Sequence, residues 1–157
     1  QKKYVESEDH GKVAYSMNPN DARVLACYGE ILVRNKKFDL GLELLHKVLD
    51  VDPIPAGQKT SDNRYRDLVL GYFCKNEFDK CIEISKNIKE LEPRSWIFLM
   101  YSFKEIEGFD NLKEKEEFKN KFDEYSKLDW ENTIKGFHLP DESMNKNLEN
   151  FTNELVN

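Results

Sequence analysis

Glycine and proline are scarce in this chain, at 7 and 5 of its 157 residues. Their scarcity excludes long irregular stretches and a fold built on many tight turns. No apolar run approaches the length needed to span a bilayer, and no secretory signal is visible, so the chain reads as having no membrane partner. Basic charge is not in excess. The net charge is −6, and the lysines alternate with glutamates, as in NLKEKEEFKNKFDEY at 111–125. Neutralising phosphates needs a clustered basic face, so nucleic acid is excluded as a partner, and the alternation reads as a solvated helix face laced with i,i+4 pairs. Cysteine is limited to Cys27, Cys74 and Cys81. An odd count without short paired spacings makes no disulfide framework. Each lies in an apolar helical stretch and reads as a reduced, buried small hydrophobe, in keeping with a cytoplasmic setting.

What is present suits amphipathic helices with solvated outer faces: 34% charged and 12% aromatic residues, with Leu, Ile, Phe and Tyr at regular spacing. Gln1 begins inside a charged, helix-like pattern, and the chain is expected to be a piece of a longer one.

The apolar pattern has a long period as well as a helical one. Pro19, Pro53 and Pro93 each follow an acidic or amide residue and each closes an apolar-periodic segment. The first step is 34 residues and the second 40, the surplus being a Pro/Gly/Ser-type loop, IPAGQKTS, at 54–61. With about six residues excised there, the two units superimpose. Leu25, Tyr28, Leu32, Phe38, Leu42, Leu45 and Leu49 fall at helical spacing in the first. Tyr65, Leu68, Tyr72, Phe78, Ile82, Ile88 and Leu91 do so in the second. The breaks RNKKFD and KNEFD match, and a small residue (Gly41, then Cys81) recurs early in each second helix, where two helices must approach closely. Each unit reads as helix, short turn, helix, then a stopping proline.

These places resemble the tetratricopeptide repeat (TPR). Its pattern is partly kept by Leu25, Tyr28-Gly29, Leu32, Gly41, Leu45, Val48 and Pro53, and by Tyr65, Leu68-Val69, Tyr72, Cys81, Ser85, Ile88 and Pro93. Val69 for Gly, and Val48 and Ile88 for Ala, depart from it. The resemblance implies an all-α, right-handed α-solenoid of helix-turn-helix pairs with a C-terminal capping helix, as a single domain over 1–157. Residues 1–19 read as the end of a preceding repeat, 20–53 as a repeat, 54–61 as a loop and 62–93 as a second repeat. Residues 94–130 read as a degenerate third repeat with Gly108 at a lengthened turn and Trp130 in the proline's place. Residues 131–157 read as a link and a terminal helix opened by Asp141 and carried by Met144, Leu148, Phe151 and Leu155. The layout of degenerate repeats, then LDW, then a terminal FHLPDESMNKNLENFTNEL is similar to the C-terminal TPR region of bacterial class III adenylate/guanylate cyclase proteins. Related tails follow winged-helix transcriptional regulators.

No motif of catalysis is legible. His10, His46 and His138 are far apart, no nucleophile elbow or glycine-rich phosphate loop occurs, and no His/Cys spacing suits a metal. No catalytic residue, metal or cofactor is expected, and the chain is read as a non-enzyme. His46 reads as an ordinary rim histidine, Cys74 and Cys81 as packing residues, and the NFT sequon at Asn150 as chance. The resemblance implies that the first helix of each pair lines a concave groove. The residues off the packing stripe there are Arg23, Ala26, Glu30, Val33 and Arg34, then Asn63, Arg66, Leu70 and Phe73. The arginines beside Leu70 and Phe73 suit a peptide with an acidic group and an apolar side chain. Ala26 and Glu30 do not supply the groups that bind chaperone tails in this family. The expected function is a protein–protein interaction or regulatory scaffold segment, with homodimerisation through the apolar stretch WIFLMYSF (96–103) as the alternative.

Overall fold

The computed structural model describes residues 2–156, and side chains within 6–156. Residues 1 and 157, which the sequence pattern assigns to the partial first repeat and to the terminal segment, lie outside the described residues.

Among the described residues ten helices follow one another: α1 (Lys2–Met17), α2 (Ala22–Arg34), α3 (Phe38–Val51), α4 (Asp62–Cys74), α5 (Phe78–Ser85), α6 (Pro93–Glu107), α7 (Phe109–Leu112), α8 (Glu116–Tyr125), α9 (Trp130–Lys135) and α10 (Glu142–Val156). Among the described residues there is no strand. From α1 to α6 each helix packs on the next, and the first helices α2, α4 and α6 also touch in a row. The fold is all-α, and its order of packing is that of stacked helix pairs.

Local chemistry sets the boundaries. The Asp21 carboxylate accepts from the Arg23 and Val24 N–H groups at 2.9 and 3.1 Å, capping α2. Pro93 supplies the first residue of α6, where its missing N–H costs nothing. The two repeat turns are the same motif. Lys37 N–H donates to Leu32 O at 2.8 Å and Glu77 N–H to Tyr72 O at 3.0 Å, while Lys36 and Asn76 donate to Val33 O and Phe73 O, both at 3.0 Å. This is a Schellman close, with Lys36 (φ 63°) and Asn76 (φ 61°) in the left-handed position. Six of the pattern's eight places are buried as pairs, Tyr28 with Leu68, Gly29 with Val69, Leu32 with Tyr72, Gly41 with Cys81, Leu45 with Ser85 and Val48 with Ile88, whereas Tyr65 is half-buried opposite the buried Leu25 and Pro53 is exposed.

The helix crossings require small residues, as expected. A Cβ on Gly41 would lie 2.8 Å from a Val33 methyl and 2.9 Å from Gly29 O. Two apolar clusters result. A small one joins Leu25, Tyr28, Leu32, Leu44 and Val48, and a larger one runs from Val33 to Leu155.

Several expectations need correction. The second repeat's last helix stops at Ser85, well short of Pro93. There the Asp62 carboxylate accepts from the Lys89 and Glu90 N–H groups at 3.2 and 3.0 Å, and Arg66 donates to Glu90 O at 2.7 Å. These bonds draw the backbone out of the helix. Cys27 is exposed rather than buried. His46 is no plain rim residue, since its Nε2 lies 2.7 Å from the Tyr72 hydroxyl. The lengthened third turn contains the one-turn helix α7 after Gly108 (φ 85°). Trp130 stops nothing: it opens α9 and stacks on Trp96 with ring centres 6.0 Å apart. The stretch 96–103 is core, with Trp96, Ile97, Phe98, Leu99, Met100, Ser102 and Phe103 all buried, so it offers no surface for a dimer.

The terminal helix begins at Asp141, whose carboxylate accepts from Ser143 N–H at 3.1 Å, and it buries Leu148, Phe151 and Leu155. Its neighbours are α9 and α6, with Phe151 edge-on to Tyr101. It therefore folds back beside a first helix instead of continuing the stack beyond α8.

Candidate functional site

The first helices place nine predicted groove residues, and folding divides them. Val33, Leu70 and Phe73 are buried in the core, Val33 where its methyl lies over Gly41 and Gly71 of the neighbouring helices. Phe73 stacks on Phe98 at 4.2 Å between ring centres. Ala26 is half-buried against the smaller cluster, and Arg23 stays exposed. Glu30 takes the Arg34 guanidinium, with Nη2 at 2.6 Å and Nε at 3.2 Å from Oε1. Asn63 accepts from Arg66 at 3.0 Å.

At the C-terminal end of α2 the face is occupied by the chain itself. Arg34 Nη1 donates to the carbonyls of Phe137 and His138 at 2.6 and 2.5 Å, and Lys36 pairs with Asp141 at 2.7 Å. Phe137 stands edge-on to Phe98, ring centres 5.4 Å apart. Lys36 holds the Asp141 carboxyl down to about 2, helped by the Ser143 N–H.

At the N-terminal ends of α4 and α6 the face is open. A shallow cleft of about 350 Å³ is lined by Asn63, Arg64, Arg66, Asp67, Glu92 and Arg94, beside Pro55. Arg64 is engaged with Asp52, donating from Nε to the carbonyl at 3.1 Å and from Nη2 to the carboxylate at 2.6 Å. Arg66 holds Asn63 and Glu90 O, while its Nε is buried without a hydrogen-bond partner. Arg94 Nε lies 3.5 Å from Glu92. Asp67 has no hydrogen bond or ion pair among the described residues. Burial pushes its carboxyl up to about 6, Glu30 adds repulsion, and Arg94, Arg64 and Arg34 oppose both.

Sequence reasoning found Asn63 and Arg66 but missed Arg64, Asp67 and Arg94, along with the occupying Phe137, His138 and Asp141. Asp67 and Arg94 carried a signal, being polar residues in the early turns of first helices. The tail's landing place carried none.

The thiols of Cys74 and Cys81 are buried, and burial pushes both up to about 12, so they are not nucleophilic at neutral pH. Among the described residues no group of three or more His, Cys, Asp or Glu could hold a metal ion, and no helix is long and apolar enough to cross a membrane. No protein-family model matches the chain, and no curated protein matches it.

Proposed function

We propose that this chain is a protein-binding module of TPR-like helix pairs, forming a right-handed solenoid whose first-helix face receives a segment of a partner protein. The observation that carries this reading is Asp67: an unpaired, half-buried carboxylate facing an open cleft. A surface serving stability alone gains nothing from such a group, which weakens the fold at neutral pH and is relieved by a donor from outside. Arg66 and Arg64 already serve internal partners. The partner's essential group is therefore a hydrogen-bond donor to Asp67, with Arg94 beside it for a carbonyl or carboxylate.

The layout of repeats, LDW and terminal helix supports a cytoplasmic regulatory role attached to a bacterial signalling protein. A nucleotide cyclase is the parent that the layout resembles most. In that setting the module binds and the parent catalyses.

Selection of a displayed random-peptide library on the whole chain tests the reading. Enriched peptides protect the first turns of α4 and α6 from hydrogen exchange, bind less well below pH 6, and lose affinity with Asp67→Arg. Peptides that protect only α3 and α5, or a selection that enriches none, overturn it.

A further inference from the structure

The tail that crosses the first-helix face has the contacts of a bound peptide. Arg34, its side chain about nine-tenths buried, takes two consecutive main-chain carbonyls, which the left-handed His138 turns toward the same guanidinium nitrogen. Phe137 stands edge-on to Phe98, whose ring stacks in turn on Phe73. Leu139 and Pro140 are buried, the His138 side chain is exposed, and Asp141 ends the segment on Lys36.

The tail is also imperfectly seated. His138 is a non-glycine residue at φ 53°, in the left-handed region. Asn145, four residues beyond Asp141, buries its Oδ1 without a hydrogen-bond partner among the described residues. Two open clefts, of about 340 and 630 Å³, flank the joint between α9 and α10, and Glu131 and Glu149 line both.

We propose that residues 137–141 are a built-in ligand covering a second peptide site on this face, and that a partner segment of the form Phe-any-Leu-Pro-Asp takes the site when the tail lifts. The inference rests on reading the first-helix face as a peptide-binding surface, and it adds a self-occupied site beside the open Asp67 cleft. A competing tether lowers apparent affinity by the fraction of time that the site is covered.

The test uses the labelled, end-blocked peptide GFHLPDES and the whole chain, followed by fluorescence anisotropy. Phe137→Ala and, separately, Asp141→Lys weaken the tether, and each raises peptide affinity at least about tenfold over the unaltered chain. Adding Arg34→Ala to either removes the gain. Should Phe137→Ala fail to fold, Asp141→Lys alone decides, because its side chain lies at the surface. Equal affinity in the unaltered chain and the variants, no binding to any of them, or binding that survives Arg34→Ala overturns the proposal. Library peptides that still map to the Asp67 cleft would then leave the proposed function standing without the built-in ligand.

Discussion

The two central repeats share one turn and differ in almost everything that the turn joins. Their close is bonded alike at Lys36 and Asn76. The first repeat crosses its helices glycine on glycine (Gly29 over Gly41), while the second crosses Val69 on Cys81, whose thiol lies 3.9 Å from Val69 O. The first runs its second helix on to Val51, and the second stops at Ser85. One position bears on the difference in helix length. Asp62 stands where the first repeat has Ala22, and its carboxylate takes the Lys89 and Glu90 N–H groups, which an alanine cannot. A turn motif is therefore a local property kept by either repeat, whereas helix length and crossing distance follow from what the neighbours supply.

The crossing is the place to break the comparison hardest. Gly41→Val drives a side chain into Val33 and into the Gly29 backbone, and is expected to cost about 3 kcal/mol or more in urea unfolding. Cys81→Val, at the equivalent place, extends a site that already holds a side chain and is expected to cost about 1–2 kcal/mol. Equal losses would show that the two crossings do not differ in closeness.

Asp62→Ala makes the second repeat resemble the first at that position. It leaves two N–H groups and a nearby arginine without their acceptor and is expected to cost about 2 kcal/mol. Hydrogen exchange at Lys89 and Glu90 should accelerate, and an unchanged rate would locate the helix stop elsewhere.

Asp67, opposite the exposed Cys27 of the first repeat, gives a change of the other sign. A carboxyl raised to about 6 in the folded state binds more protons there than when unfolded, so stability falls as pH rises from about 4 to about 6 and the whole cost is present above 6. Asp67→Asn is expected to stabilise the chain by about 1–2 kcal/mol at pH 7 and to flatten that slope, measured by thermal unfolding at pH 5 and pH 7. A fall in melting temperature at pH 7 would mean that the carboxylate is paired in solution.

The smallest effect tests the shared turn. Asn76→Gly removes a left-handed side chain and should stabilise by about 0.5 kcal/mol. Lys36→Gly should gain less, because it also loses the pair with Asp141.

The helical segments, the small residue at the Gly41 crossing, the turns and the opening of the last helix at Asp141 were legible from the chain. Each is a short-range requirement, met by residues within one helix pair. The candidate site was legible only in part. Arg66 and Asn63 lie on the expected helix face, yet the arginine's donors are largely spent on the Glu90 carbonyl and on Asn63. The availability of Asp67 depends on Glu30 and on arginines from other helices.

What the sequence by itself determined is the all-helical pairing, because periodic apolar positions and a left-handed turn residue specify it within about forty residues. Only the tertiary structure decided which charges remain unpaired and where the tail lies. Arg34 and Phe137 are separated by about a hundred residues, and no local pattern in either segment encodes the carbonyl that the guanidinium will meet.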